Sequence, residues 1–307
     1  MRRKGRTLFI VSFLAPAVLC FLIIFLYPTV RTMFMSFFKV ESVTDDMKTW
    51  GFLGIANFKG LFQSKLFLMS MANILKIWLL GGTIILALAT LFSAIITSGV
   101  KGKDFWRSII YLPHIINVVA LVTMWVQYAF NPRYGFFNTL FTRLGLPSLA
   151  GFQWTSPDHT FLSMMIAYTY GSVGFYVLIL VAGMDGITRD YYEAADIEGA
   201  NGFVKFFRIT IPLLKDIFKR CIVLYSAGAM GFFAYSSLFS TGTEMATVTP
   251  LIYMYDNVFG RQIGNVATEL NVGAGAAVGV LIMAMVLLTN WVLDRFIRSD
   301  VDIKQAK

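Results

Sequence analysis

The feature that most constrains this chain is a series of long apolar stretches, each near the roughly 20 residues that a helix needs to cross a bilayer. Hydrophobic residues make up 57% of the 307 residues and charged residues 14%. A soluble domain needs about 25% charged residues to cover its surface. The sequence therefore predicts one all-α membrane domain over residues 1–307. Its six predicted transmembrane helices lie near 8–36, 68–97, 107–130, 160–184, 216–240 and 272–296.

The first apolar stretch could be mistaken for a secretory signal, because it follows a basic N-terminus. Its apolar run from Leu8 to Tyr27 is longer than the 7 to 15 residues of a signal core, so we expect a retained first helix. Pro16, Gly81 and Gly82 interrupt the first two stretches. Membrane helices tolerate such residues, since neighbouring helices can satisfy the freed backbone groups.

The basic residues are distributed unevenly between the two sides of the predicted bundle. An even number of spans places both termini on one side, and that side carries 17 of the 26 Lys and Arg residues against seven in the opposite loops. By the positive-inside rule both termini are cytoplasmic. The formal net charge of +9 therefore reports orientation, and no nucleic-acid surface is predicted.

No catalytic or metal-ligating pattern is present. His114, His159, Cys20 and Cys221 are too widely spaced for a metal site. The only Gly-Lys pair, at 102–103, lacks the flanking residues of a phosphate-binding loop. The sequence thus predicts no metal, no catalytic residue and no cofactor in this chain. It argues against a membrane enzyme, and nothing indicates a channel filter.

The segment over residues 187–216 lies between the fourth and fifth stretches and has too many charges to be buried in lipid, at roughly 2.5–3.5 kcal/mol each. Ala194 and Ala195 favour a helix, acidic residues occupy its first turn, and Gly199 and Gly202 are the expected terminators. Small residues one turn apart leave one face nearly bare. Two interpretations remain: a docking helix for a partner, or an amphipathic helix on the membrane interface.

Several residues of this segment follow a specific spacing: Glu193, Ala194, Ala195, Gly199, Ala200, Ile209 and Pro212. Together they resemble the EAA signature of permeases of binding-protein-dependent ABC importers. Glu198 stands where Asp is usual, and Ile211 where Leu is usual. Both departures are chemically mild.

The resemblance extends to other parts of the chain, over most of residues 25–215. The additional matching residues are Tyr27, Pro28, Ser36, Phe37, Gly54, Asn57, Phe58, Arg107, Pro113, Trp125, Gly135 and Asn138. The combination is most similar to permeases of the carbohydrate-uptake, maltose-type branch.

The resemblance implies the type I ABC importer permease fold in a bacterial cell (inner) membrane. It implies a second permease subunit in a heterodimer, two cytoplasmic ATPase subunits that hold ATP and Mg, and an extracellular solute-binding protein. The coupling segment, residues 187–212, would dock on the ATPase, with Gly199 as a close-approach position. Its implied coupling residues are Glu193, Ala194, Ala195, Glu198, Gly199, Ala200, Gly202 and Pro212.

The solute is expected to be a sugar or oligosaccharide. Glycerol-phosphate, a peptide, phosphate, a polyamine or sulfate are alternatives that would share the coupling segment. Polar residues within the spans are candidates for the substrate pathway, although each could instead bond a neighbouring helix. These candidates are Asn73, Asn117, Gln127, Tyr170, Tyr235 and Ser236.

Overall fold

A computed structural model describes residues 2–239, 245–260, 262–263, 266–267 and 270–296. The C-terminal residues 297–307, which are predicted to be cytoplasmic, lie outside the described residues. The side chains of the basic residues before residue 9 also lie outside them. The chain divides into two compact units. They comprise residues 1–68 with 253–283, and residues 69–252 with 284–307.

The described secondary structure is predominantly helical, as predicted. The α-helices are α1 (Arg2–Cys20), α2 (Tyr27–Met35), α3 (Ala56–Gln63), α4 (Lys65–Lys76), α5 (Gly82–Thr97), α6 (Lys103–Ile115), α7 (Val118–Thr123), α8 (Phe136–Arg143), α9 (Pro147–Ala150), α10 (Thr160–Asp185), α11 (Asp190–Ile197), α12 (Gly202–Lys205), α13 (Ile211–Leu213), α14 (Lys215–Met230), α15 (Ala234–Phe239), α16 (Pro250–Phe259) and α17 (Val272–Phe296). Short 3₁₀ turns cover Met47–Thr49 and Met245–Thr247. The prediction did not include two short antiparallel hairpins, β1 (Phe38–Lys39) with β2 (Gly51–Phe52), and β3 (Gln262–Ile263) with β4 (Val266–Ala267).

Four of the predicted spans are continuous helices long and apolar enough to cross a membrane. They are Phe9–Met35, Lys65–Thr97, Thr160–Asp185 and Val272–Arg295. The first two contain π-helical turns, at Phe21–Leu26 and Ile77–Gly81. The first span continues through Pro16, which lies within α1, and the second continues through Gly81 and Gly82. The glycines at 81 and 82 have a packing role instead. A Cβ atom on Gly82 would lie 2.7 Å from Cε1 of Tyr225.

The predicted third span, 107–130, is sharply bent. The helices over Lys103–Ile115 and Val118–Ala129 meet at 94°. Pro113 lies in the last turn of α6, and the Asn117 side chain caps α7 by accepting from the amide of Val119 at 2.9 Å. Proline weakens the first helix and the cap favours a new start, so the chain turns between them.

The predicted fifth span, 216–240, consists of two helices, α14 and α15. Each is shorter than a membrane crossing, and the residues between Met230 and Ala234 separate them. The carbonyl of Phe232 in this break accepts from the buried hydroxyl of Thr249 at 2.8 Å. That bond satisfies a backbone group that a helix would otherwise pair. The number of six spans therefore stays a prediction. Four of the predicted spans are continuous helices, the third is bent and the fifth is divided.

In the first unit, buried Asn57 fastens the β1–β2 hairpin to the end of α2. Its side-chain amide donates to the carbonyls of Ser36 and Phe38, both at 2.9 Å. Gly54, three residues earlier, has a φ of +57°, which glycine adopts without strain. Gly54 and Asn57, which the sequence resemblance to sugar permeases singled out, therefore connect the hairpin to the end of α2.

In the second unit, α10 is the central helix and packs against α5, α6 and α14. Its close contacts depend on small residues, because a Cβ atom on Gly174 would lie 2.8 Å from the Cα atom of Tyr111 in α6. The buried hydroxyl of Tyr225 donates to the carbonyl of Ile77 at 2.6 Å, where the π turn begins. The indole of Trp78 donates to Ser226 at 2.8 Å. Side-chain bonds therefore lock α14 against the second span.

Candidate functional site

The coupling segment contains the short capped helix that the sequence predicted, α11. Asp190 and Glu193 lie in its first turn. Its C-terminus is a Schellman motif, in which the amide of Gly199 donates to the carbonyl of Asp196 at 3.0 Å and that of Ala200 to the carbonyl of Ala195 at 2.9 Å. Gly199 has a φ of +73°, so its role as terminator is confirmed.

One part of the prediction for this segment differs from the structure. Gly202 begins α12 and does not end a helix, because the Asn201 side chain caps this new helix through the amide of Val204 at 2.9 Å. Among the described residues of this chain, Gly199 has no neighbour within 4 Å of its Cβ position, so its backbone conformation is what requires glycine here. Its close approach to an ATPase subunit stays a prediction. Pro212 lies in the first residues of α13, where its missing N–H is tolerated.

One side of α11 is bonded to the segment that follows it. The hydroxyl groups of Tyr192 and Thr210 are 2.9 Å apart. Asp196 forms an ion pair with Lys205 in α12. These two connections hold α11 at a fixed position beside the start of the following helices.

The other side of α11 is exposed and partly apolar. Ile197 is 88% exposed, and Tyr191 is also exposed. Glu193, Ala194 and Glu198 are exposed as well, whereas Ala195 and Ala200 are half-buried. Sequence reasoning did not select Ile197. A signal for it was available, since it lies between Asp196 and Glu198 as a large aliphatic residue in a helix that otherwise consists of acidic residues, tyrosines and alanines.

The ends of the spans predicted to be cytoplasmic come together in the second unit. A cavity of about 800 Å³ is lined by the end of α5, the start of α6, the end of α10 and the coupling segment. Arg107 of α6 lies 3.7 Å from Asp185 of α10, and Lys219 of α14 lies 3.0 Å from Asp294 of α17. These span ends therefore lie together, and their cytoplasmic position stays a prediction from the basic residues.

Two of the candidate pathway residues, Asn73 and Ser236, hold the same stretch of backbone. The Asn73 amide donates to the carbonyls of Ala246 and Val248, at 3.1 and 3.0 Å. The Ser236 hydroxyl donates to the carbonyl of Thr247 between them. Both side chains are buried. The described bonds of both side chains connect their helices to this stretch of backbone. They therefore correspond to the alternative in which these residues pack helices together and do not contact the solute.

The other four candidates have separate positions. Tyr235 stacks on Phe232 with ring centroids 5.7 Å apart. Tyr170 is 45% exposed and meets Trp125 edge-on at 5.4 Å. Asn117 is the cap at the bend described above, and Gln127 is exposed. The described contacts therefore do not gather the six candidates into one site.

Asn138 closes the loop after the bent span. Its amide donates to the carbonyls of Pro132 and Ala150, at 3.0 and 2.8 Å. A Cβ atom on Gly135 would lie 2.8 Å from the carbonyl oxygen of Ala129, so this position needs glycine. Both residues belong to the element that resembles sugar permeases, and both shape the loop.

Comparison with known proteins identifies the family. Residues 85–299, more than half of the chain, match the binding-protein-dependent transport system inner membrane component family. The chain belongs to this family. The permease thus contains the coupling segment within the part that defines its family.

Full-length relatives are similar at low identity. The permease is 27% identical over 304 residues to the diacetylchitobiose uptake system permease protein of Streptomyces coelicolor, with 94% of this chain and 85% of the relative covered. It is 25% identical to the sn-glycerol-3-phosphate transport system permease protein of Rhizobium meliloti, with 94% of each chain covered.

A solved structure has the same fold. It is the crystal structure of a bacterial ABC transporter involved in the import of the acidic polysaccharide alginate, matched with a TM-score of 0.79 at 21% identity. The match covers 96% of this chain and 98% of that chain. The permease therefore has the fold of an ABC importer permease.

Proposed function

We propose that this chain is the permease subunit of an ABC importer that carries a sugar or oligosaccharide across a bacterial cell (inner) membrane. An extracellular solute-binding protein delivers the solute. Family membership supports the transport role, and the diacetylchitobiose permease and the alginate transporter support a saccharide as the solute.

The proposed complex divides the work among its subunits. This chain and a second permease subunit form the pathway as a heterodimer. Two cytoplasmic ATPase subunits bind ATP and Mg, because this sequence lacks a phosphate-binding loop. The coupling residues Glu193, Ala194, Ala195, Glu198, Gly199, Ala200, Gly202 and Pro212 form or flank the contact with the ATPase.

The observation that carries this proposal is the exposed side of α11. A helix outside the membrane does not leave a large apolar side chain 88% exposed without cost, and Ile197 has no buried position in this chain. An ATPase groove would cover Ile197 and Tyr191. The opposite side of α11 is bonded to Lys205 and Thr210 in the segment that leads into α14, so a movement of the groove would reach that helix.

Replacing Ile197 by serine tests the docking role. We expect Ile197→Ser to weaken association between the permease and the ATPase subunits at least about tenfold, since burying an isoleucine contributes about 1.5–3 kcal/mol. The association of the permease with the ATPase subunits would be measured directly. Solute uptake would be measured with the assembled complex in proteoliposomes. Val43→Ser is the matched control, because Val43 is also exposed but lies in the predicted outer loop.

Two further variants separate helix termination from docking. Gly199→Asn should keep most uptake, since asparagine tolerates a positive φ, whereas Gly199→Leu should lose the helix end and uncouple uptake from ATP hydrolysis. Normal uptake with Gly199→Leu together with normal ATPase binding by Ile197→Ser would rule out docking through α11.

The solute is tested by uptake of radiolabelled compounds into proteoliposomes that contain the complete complex. Saturable uptake of a disaccharide or oligosaccharide supports the proposal. Uptake of sn-glycerol-3-phosphate alone would instead favour the alternative suggested by the Rhizobium meliloti relative.

A further inference from the structure

We propose that the permease binds one anionic phospholipid of the cytoplasmic leaflet between α5 and α6, with Lys103 and Arg189 at its phosphate. An apolar groove and a basic cavity meet at Lys103, which lines both. A molecule that fills both must have an anionic head and an apolar chain. A phospholipid has this composition.

The head-group end is the 800 Å³ cavity beside the coupling segment. Its charged lining residues are Lys103, Asp185, Arg189 and Lys205. Asp185 pairs with Arg107, and Lys205 pairs with Asp196 outside the lining. Within the described residues, Lys103 and Arg189 form no ion pair. The cavity therefore has two uncompensated positive charges for a phosphate.

The acyl-chain end is a groove of about 470 Å³ on the outer side of α5 and α6. Apart from Lys103 its lining is apolar: Phe92, Ile95, Ile96, Val100, Trp106, Ile109 and Ile110. Ile95, Trp106 and Ile109 are between 44 and 48% exposed, so the groove opens to the surroundings. Trp106, close to Lys103 in sequence, is of the type enriched at membrane interfaces.

The groove has the length of one leaflet. A second apolar groove of about 570 Å³ shares Phe92, Ile109 and Ile110 with the first and reaches Pro113. From Lys103 to Pro113 the helix rises about 15 Å, half of the roughly 30 Å hydrocarbon core. A chain anchored at Lys103 would thus extend to about the bilayer midplane.

The charge pattern selects the leaflet and the lipid class. Lys103 belongs to the loops assigned to the cytoplasm, where anionic lipids face the protein, and basic pockets between transmembrane helices on that side bind such head groups. The head group would touch the coupling segment through Arg189. Lipid composition would then influence a part of the permease that is proposed to contact the ATPase.

Native mass spectrometry of the complete transporter tests this site. The complex would be titrated with palmitoyl-oleoyl phosphatidylglycerol and with phosphatidylcholine that has the same chains. We expect stronger binding of phosphatidylglycerol. Lys103→Gln should lower its affinity about fivefold, and the double variant with Arg189→Gln about 25-fold, from the usual contribution of one basic residue near anionic lipid.

Lys101→Gln is the matched control, because Lys101 is exposed in the same loop but lines neither cavity. Unchanged binding by this control supports the site. Equal binding of both lipids, or an equal loss with Lys101→Gln, would overturn it. Displacement of the lipid by free glycerol phosphate would show an anion site without a lipid chain. Absence of lipid from the assembled complex would also overturn the proposed lipid site.

Discussion

The coupling segment and the core around α10 both depend on glycine, for different physical reasons. Gly199 in the coupling segment has open space around it and is needed for a positive φ. Gly174 in α10 has an ordinary helical conformation, but the backbone of Tyr111 occupies the place of a side chain. The first requirement is local, whereas the second depends on a helix about 60 residues away.

This difference teaches which parts of such a permease are accessible to sequence reasoning. The end of α11 is encoded within a few neighbouring residues and can be recognised from them. The close contact of α6 with α10 leaves no local signal, since glycine also occurs in helices without any close neighbour. Gly228 in α14 is an example, with nothing within 4 Å of its Cβ position.

The largest expected effect comes from filling the contact in the core. Gly174→Leu should destabilise the permease by about 3 kcal/mol or more, because backbone atoms of α6 cannot rotate away as a side chain can. Gly228→Leu should leave stability nearly unchanged. Thermal unfolding of the purified permease would show the contrast, and equal midpoints would contradict the packing role of Gly174.

A smaller effect is expected where a pathway candidate is also a packing residue. Asn73→Leu should destabilise the permease by about 1–3 kcal/mol, because two carbonyl groups lose their partner. The maximal rate of uptake would fall only in step with the folded fraction, and the KM for uptake would stay unchanged. A changed KM for uptake with an unchanged unfolding midpoint would instead place Asn73 in the pathway.

The smallest effect is expected at the surface of the coupling segment. Asp196→Asn removes the ion pair between Asp196 and Lys205. The side chain of Asp196 is 63% exposed. Exposed pairs contribute about 0–1 kcal/mol, so the unfolding midpoint should change little. A loss as large as that of Gly174→Leu would show that the ion pair, and not the Schellman end with the Tyr192 bond, holds α11.

The candidate residues illustrate how far prediction reached. A short capped helix was predicted around Glu193 to Gly202, and the structure has one over Asp190–Ile197, because helix formers, acidic first-turn residues and a terminal glycine act locally. Gly202 was assigned wrongly as a terminator, since the cap of Asn201 for the next helix was not recognised. Asn73 and Ser236 converge on residues 246–248 from distant parts of the chain, which no local pattern indicates.

The sequence by itself determined the membrane class and the position of the coupling helix, and it predicts the orientation. These follow from transfer free energies, charge distribution and helix termination, which are properties of single segments. Only the tertiary structure decided that the predicted third span bends by 94°, that the fifth is divided, and that Ile197 remains exposed. The last two features depend on which distant groups satisfy or cover each residue, whereas Pro113 and Asn117 mark the place of the bend without giving its angle.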